Sequence, residues 1–362
     1  MAVPLYTGAK GVLLDTLTQG LLGAAVGQAC CGRSLGRRAM VYGALGGLLP
    51  DLDILSGISQ PLGEFLYHRG PTHALWVGPV IGPVLGYAMW RATRRAGPTQ
   101  GRSGDGTSPP LRAWVSLFVL ALLTHPLLDV FTTYGTQLLS PFSNHRFALN
   151  AVGIVDPAYS VLLVAALVVG RVKGPGSRSA TRAAVLCLLL SSGYLLGGLW
   201  LNHRAEQHGR EQLAREGWQA TSVTAYPTLF QPFLRRIVAR GDDRVRVGWL
   251  SLWSPHPISW EEAAVPQHPL IEALERSREG RVFAWFAMDQ TFPRVLEGDA
   301  IATVEIDDIR YGFPGPAGDG LWGIRGRFDA RGRLLAPVER FHRPLPLPAG
   351  AMLANILRYT FD

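Results

Sequence analysis

Cysteine and charge are both scarce in this chain. Its 362 residues hold three cysteines and no CxxC pair, so there is no disulfide framework to read. Cys30, Cys31 and Cys187 all fall inside apolar stretches, and the adjacent pair is expected to be buried as small apolar residues. Charged residues make up 17% of the chain, where an average soluble domain has about 25%. With 48% hydrophobic residues beside that, a disordered or collagen-like chain is excluded. Also missing are a GxxxxGKS/T loop, a GxGxxG placed after a strand, a GxSxG elbow and an HExxH helix. Their absence removes the commonest nucleotide-binding, serine-hydrolase and zincin signatures.

Acids are scarcest in the first half. Residues 1–202 carry 15 lysines and arginines against 7 acids, while residues 203–362 carry 20 of each, so the net charge of +8 belongs wholly to the apolar half. That distribution argues against a basic face built for a polyanion, and no nucleic-acid partner is expected. A bilayer-spanning helix needs about 20 mostly apolar residues. Runs at 73–91, 111–131, 157–172 and 183–201 qualify, and two shorter runs rich in glycine and alanine lie at 16–32 and 39–50. Small residues let helices approach closely in lipid, so these two are expected as tightly packed spans or as a hairpin dipping partway into the bilayer. The start MAVPLYTGAK lacks the charged region and cleavage site of a secretory signal and is read as retained.

The basic residues orient the segments. Twelve fall in one alternating set of loops, at Arg33, Arg37, Arg38, in the stretch 91–112 and in the stretch 171–182; only Lys10, Arg69 and Arg146 fall in the other. The positive-inside rule places the twelve in the cytoplasm and everything after Asn202 outside. Residues 96–110 read as a flexible linker rich in Gly, Ser and Pro. Residues 203–225 read as helix, and alternating runs at 244–253, 281–288, 302–313 and 321–335 read as strands joined by turns. The expected fold is a membrane α-helical bundle of about six segments over 1–202, followed by a small, mainly β (α+β) soluble domain over 203–362. Trp249, Trp253, Trp260, Trp285 and Trp322 are expected in the core of that domain, although tryptophan also suits a membrane interface.

Six of the seven acids of the first half lie at expected outer ends: Asp15, Asp51, Asp53, Glu64, Asp129 and Asp156. His68, His73, His125 and His145 fall on the same side. Ionisable groups at membrane depth are costly, so they are paired, hydrated or functional. Histidine and aspartate gathered at one face of a bundle are the ingredients of a divalent-metal site. In Leu49-Pro50-Asp51-Leu52-Asp53, Pro50 favours a break in the helix, and a turn there can bring both carboxylates to one cation. The run His68-Arg69-Gly70-Pro71-Thr72-His73 sets His73 on the first turn of the third segment, with His68 returning from a Gly-Pro turn. His125 and Asp129 stand at i and i+4 on one helical face, able to share an ion or to form a carboxylate–imidazole pair. Each feature alone has a plainer reading as a cap, a hydrogen-bonded histidine or a helix–helix contact; three segments aiming them at one leaflet favour a shared site. Arg69 and Arg146 suit either interfacial anchoring or a grip on phosphate.

The motifs GALGGLLPDLDIL, YHRGPTHALW, THPLLDVFTTYGTQLLSPFSNHRFAL and VDPAYS resemble those of the YdjM family of bacterial inner-membrane proteins, over about residues 15–175. That family is described as metal-dependent hydrolases remotely similar to zinc-dependent phospholipase C and P1-type nucleases. The resemblance implies that Asp51, Asp53, His68, His73, His125 and Asp129 are metal ligands or their neighbours, with Asp156 a weaker carry-over. Members often carry a histidine where this chain has Thr18-Gln19, and Asp15 is a nearby substitute. The expectation is therefore a multi-pass inner-membrane hydrolase acting on a lipid-like or phosphoester substrate at the outer face, among membrane lipids. Zinc is preferred because imidazole is in the ligand set, with manganese second. Asp51 is the expected proton acceptor, and Arg69 the group that neutralises developing charge. The competing reading is a non-catalytic membrane scaffold with a structural metal. A transporter ranks lower, because the ionisable groups gather at one face rather than at mid-bilayer.

Overall fold

A computed structural model describes residues 8–57, 62–95, 109–298, 301–335, 337–344 and 348–361. The side chain of Asp15 and residues 96–108 of the expected linker lie outside the described residues. The chain is a helical N-terminal region followed by a small domain of antiparallel sheets. Contacts divide it into two compact units. One comprises Met1–Asp53, Arg69–Leu149 and Ile154–Gly197; the other comprises Ile54–His68, Asn150–Gly153 and Gly198–Asp362.

In the first unit, α1 (Gly8–Leu35) and α2 (Arg37–Leu48) are joined at Gly36, whose φ of 57° is a conformation open to glycine without strain. Glycine governs how closely they pack. A Cβ on Gly23 would strike the Gly43 carbonyl, one on Gly27 the Ala39 carbonyl, and one on Gly47 would sit 2.6 Å from the Gln19 carbonyl. These pairs step in opposite directions along the two helices, which makes them an antiparallel hairpin in backbone contact, as small residues permit. At 12 residues, α2 is about 18 Å long, well short of a hydrocarbon core of about 30 Å. Neighbouring helix positions cannot all face the partner: Cys31 is buried, whereas Cys30 is exposed, contrary to the expectation for the pair.

Three short elements follow. A 3₁₀ turn spans Pro50–Asp53, α3 spans Ile54–Gly57 and α4 spans Gly63–Tyr67. A second 3₁₀ turn, Pro71–His73, precedes α5 (Val77–Arg95), so His73 stands before the helix rather than on its first turn. The helix α6 (Leu111–Val130) packs on α1, α2 and α5, and buries Trp114, Leu117, Ala121 and His125 completely. Gly82 and Gly86 of α5 lie so close to α6 that a Cβ would approach the Cα atoms of Val119 and Val115 to 2.7 and 2.6 Å. The next helix, α7 (Pro157–Lys173), is capped by Asp156, whose side chain accepts from the Tyr159 N–H. The sixth apolar run and the expected tail helix prove to be one element, α8 (Arg178–Arg215), with no breaking residue between them. Among the described residues two helices are long and apolar enough to cross a membrane, α6 and α8.

The second unit holds two meanders. The first sheet runs β1 (Ser222–Pro227), β2 (Leu234–Arg240), β3 (Arg244–Ser251), β4 (Trp260–Ala264) in that order. Alternation along β2 sends Ile237 and Ala239 to a core shared with Ala205 and Leu213 of α8, and Val238 to another core with Val245 and Phe292. The run 281–288 is helix, not strand. After α9 (Pro269–Arg276), the Ser277 hydroxyl accepts from the Gly280 N–H and caps α10 (Arg278–Phe286). Phe283 and Phe286, three apart, are then buried on one face, with Phe286 stacked on Phe65 at 4.3 Å between centroids. The second sheet follows as β5 (Thr291–Leu296), β6 (Ala302–Asp308), β7 (Trp322–Phe328), β8 (Glu339–His342), and α11 (Ala349–Phe361) closes the described chain. Of Trp249, Trp253, Trp260, Trp285 and Trp322 none is fully buried: Trp253 is exposed, whereas Trp260 is partly buried against the core of Ile237 and Leu250.

Candidate metal centre

The centre lies in the first unit, where the end of α2, the turn before α5 and the last turns of α6 meet. Asp51, His73 and His125 each bring one ligand atom to within 4.8 Å of the others. The two imidazole Nε2 atoms face each other at 2.9 Å, and Asp51 Oδ1 lies 3.3 Å from that of His125 and 3.6 Å from that of His73. Asp129 Oδ2 adds a fourth atom, 3.2 Å from His73 Nε2 and 3.6 Å from His125 Nε2. Both histidines are fully buried.

The outward nitrogens determine what the inward ones can do. His125 Nδ1 donates to the Gly47 carbonyl at 2.6 Å, because a carbonyl only accepts. His73 Nδ1 faces Asp53 Oδ2 at 3.1 Å and the Thr72 hydroxyl at 3.1 Å; that hydroxyl in turn donates to Asp53 at 2.6 Å. With the Nδ1 protons so engaged, each neutral ring turns a bare Nε2 lone pair inward. Two lone pairs and two carboxylate oxygens thus converge with no donor among them. Among the described residues no hydrogen bond reaches Asp51 Oδ2 or Asp129 Oδ2 either. Acceptors of this kind repel one another unless a proton or a cation sits between them, and two imidazoles with two carboxylates suit a divalent ion.

The remaining sequence candidates take different places. The 3₁₀ turn separates the two carboxylates of Asp51-Leu52-Asp53. Asp51 points at the converging atoms, while Asp53 stands behind His73 and accepts from the Arg69 N–H at 3.1 Å, in the manner of a carboxylate that orients a ligating imidazole. His68 closes α4 in the other unit, where its N–H donates to the Glu64 carbonyl. Arg69 is fully buried: its guanidinium pairs with Asp129 at 3.3 Å, donates to Thr132 Oγ1 at 2.7 Å and lies 5.0 Å from the Tyr134 ring centre. Those bonds commit it to holding a carboxylate. Arg146 donates to the Gly135 carbonyl and also lies near the Tyr134 ring. Besides capping α7, Asp156 accepts from the Tyr194 hydroxyl at 2.7 Å. His145 is exposed, edge-on to Phe147.

Two residues near the centre had little signal in the sequence. Gln19, buried in α1, donates from Nε2 to Asp129 Oδ1 at 2.8 Å and to the His125 carbonyl at 3.2 Å. The available hint was its place in Thr18-Gln19, where the resembling family often carries a histidine. Thr72 bridges Asp53 and His73 from within the HRGPTH motif, where only its neighbours drew notice.

The family model described as YdjM inner membrane protein matches residues 14–204, and the chain belongs to that family. The chain is 25% identical over 199 residues to the "Uncharacterized protein YfhP" of Bacillus subtilis (strain 168). The match covers 54% of each chain, so this chain spans about half the length of that relative. No solved structure matches it.

Proposed function

We propose that this member of the YdjM inner membrane protein family is a metal-dependent hydrolase of the bacterial inner membrane, acting on a lipid-like or phosphoester substrate at the outer face. The observation that carries the reading is the donor-free convergence of His73 Nε2, His125 Nε2, Asp51 Oδ1 and Asp129 Oδ2. These four residues would hold the ion, zinc first by the imidazoles and manganese second. A cation of this kind supplies Lewis acidity that makes water nucleophilic near neutral pH. Asp51, with one oxygen free of donors and its side chain 12% exposed, is the residue placed to accept a proton. Asp53 and Thr72 orient His73; Arg69 and Gln19 hold Asp129.

A multi-pass arrangement with residues after 202 outside the cytoplasm follows from the positive-inside distribution. It is supported by outward apolar side chains such as Val84 on α5, Val161 and Val172 on α7 and Leu189 on α8, all more than half exposed. Such surfaces are unusual in water and ordinary in lipid.

Full burial of both histidines also favours a second reading, a structural ion in a non-catalytic membrane scaffold, since structural sites are closed. Metal analysis of the detergent-purified protein tests the site. Wild type should retain a divalent ion that His125→Ala and Asp51→Asn lose, and equally low metal in all three would refute it. Turnover of phosphodiesters and phospholipids that a chelator abolishes supports the hydrolase. Retained metal without turnover across that panel supports the scaffold.

A further inference from the structure

We propose that the second unit carries a membrane-docking rim, formed by Trp200, Trp253 and the outer face of α11, that sits in the headgroup–acyl boundary of a phospholipid bilayer. The helix α11 is apolar nearly all round: its sequence AGAMLANILRYTF has only Asn355, Arg358 and Thr360 as polar breaks. One face buries Met352, Ile356 and Thr360. The other repeats Leu353, Leu357 and Phe361 every fourth residue, 40%, 43% and 47% exposed. A helix of that composition in water is covered on every side. Here half of it is bare.

The bare face continues onto the sheet. Trp253, 60% exposed, meets Phe361 edge-on with ring centres 5.5 Å apart, and the Ser251 hydroxyl donates to the Thr360 carbonyl at 2.6 Å. Leu252 and Pro255, on either side of that loop, line a cleft of about 270 Å³ together with Trp200 and Leu201 of α8. Trp200 is 62% exposed. In α8 the apolar run ends at Leu201 and the polar run Asn202-His203-Arg204 begins, and Arg204 and His208 line the same cleft.

This arrangement selects the occupant. A helix apolar enough to span a bilayer turns polar at the cleft, which puts an exposed tryptophan at the end of a span and a cation one turn beyond. Tryptophan at that level and arginine among the phosphates make up the usual interfacial belt, and α11 then lies in the interface with its bare face toward acyl chains. The inference rests on α8 crossing the membrane and is independent of the metal centre.

The test is photocrosslinking of the full-length chain in nanodiscs of phosphatidylcholine and phosphatidylglycerol. A benzophenone amino acid replaces, one at a time, Leu357, Trp253, Leu190 in the apolar run of α8, and Leu335, which is exposed elsewhere in the second unit. Phospholipid adducts at 253 and 357 should exceed those at 335 at least tenfold and approach those at 190. Adducts at 190 without any at 357 would overturn the rim while keeping the span, and none at 190 would overturn both. Crosslinks at 357 to a second copy of the chain would assign the face to a dimer instead. As a check that needs no crosslinker, Trp253→Tyr should reduce the emission quenched by acyl-brominated lipid; unchanged quenching would count against the rim.

Discussion

Replacing Arg69 by methionine should cost about 3–5 kcal/mol of stability, although it alters none of the four residues that converge at the centre. The guanidinium and the Asp129 carboxylate are 3.3 Å apart and 0% and 1% exposed, so solvent screening does not discount the interaction. At an effective dielectric of about 20, charges at that distance attract by roughly 5 kcal/mol. Removing the cation leaves the buried Asp129 carboxylate with the neutral Gln19 amide as donor and no guanidinium charge to offset its own. The opposite change, Asp129→Asn, strands a buried guanidinium and should cost a similar amount. The double variant should lose less than the sum by about 2–3 kcal/mol, because neither charge is left alone in it. Denaturation of the detergent-purified, chelator-treated protein measures this without a contribution from bound metal. Losses under about 1 kcal/mol, or losses that simply add, would show that Arg69 does not hold Asp129 and that Gln19 suffices.

Four further outcomes separate the roles assigned above. Zinc affinity measured by titration should fall as the pH is lowered, since the imidazoles must be deprotonated to bind and binding releases protons. An affinity that rises in acid would contradict this ligand set. Asp156→Ala should cost about 1 kcal/mol as a lost helix cap and leave the metal content unchanged, because its partners are Tyr159 and Tyr194. Gly82→Val should lower thermal stability by about 1–3 kcal/mol or more, since its Cβ would press on the Val119 backbone; a neutral result would mean that α5 and α6 are not in backbone contact. Arg235→Met in the second unit should cost about 3 kcal/mol, as it removes the donor shared by the carbonyls of Asn150, Ala151 and Gly198 and by Asn202 Oδ1.

Much of the centre was legible because its signals are local. Spacing alone puts His125 and Asp129 on one helical face, and both do face the centre from α6. The glycines of 16–32 and 39–50 announced close helix packing, and the two helices touch backbone to backbone at Gly23 and Gly43. The run 281–288 was misread for a related reason. Residues 282–288 are a short unbroken apolar run, which fits a buried strand as well as a helix; Phe283 and Phe286 share a helical face, and the Ser277 cap favoured the helix.

By itself the sequence determined composition and period: an apolar first half poor in charge, acids and histidines concentrated near a few segment ends, and a charge-balanced second half rich in strands. These follow from residue type and from spacing of four residues or fewer, which backbone geometry converts directly into a shared face. The tertiary structure decided which of those groups meet and what each one does. Asp51 faces the centre and Asp53 stands behind His73 because a 3₁₀ turn, not an extended chain or an α-helix, separates them. Arg69 and Gln19 converge on Asp129 from positions 60 and 110 residues away in the chain. A buried charge is tolerated only where a partner reaches it, and for residues so far apart in sequence only the packing of the helices can bring that partner within reach.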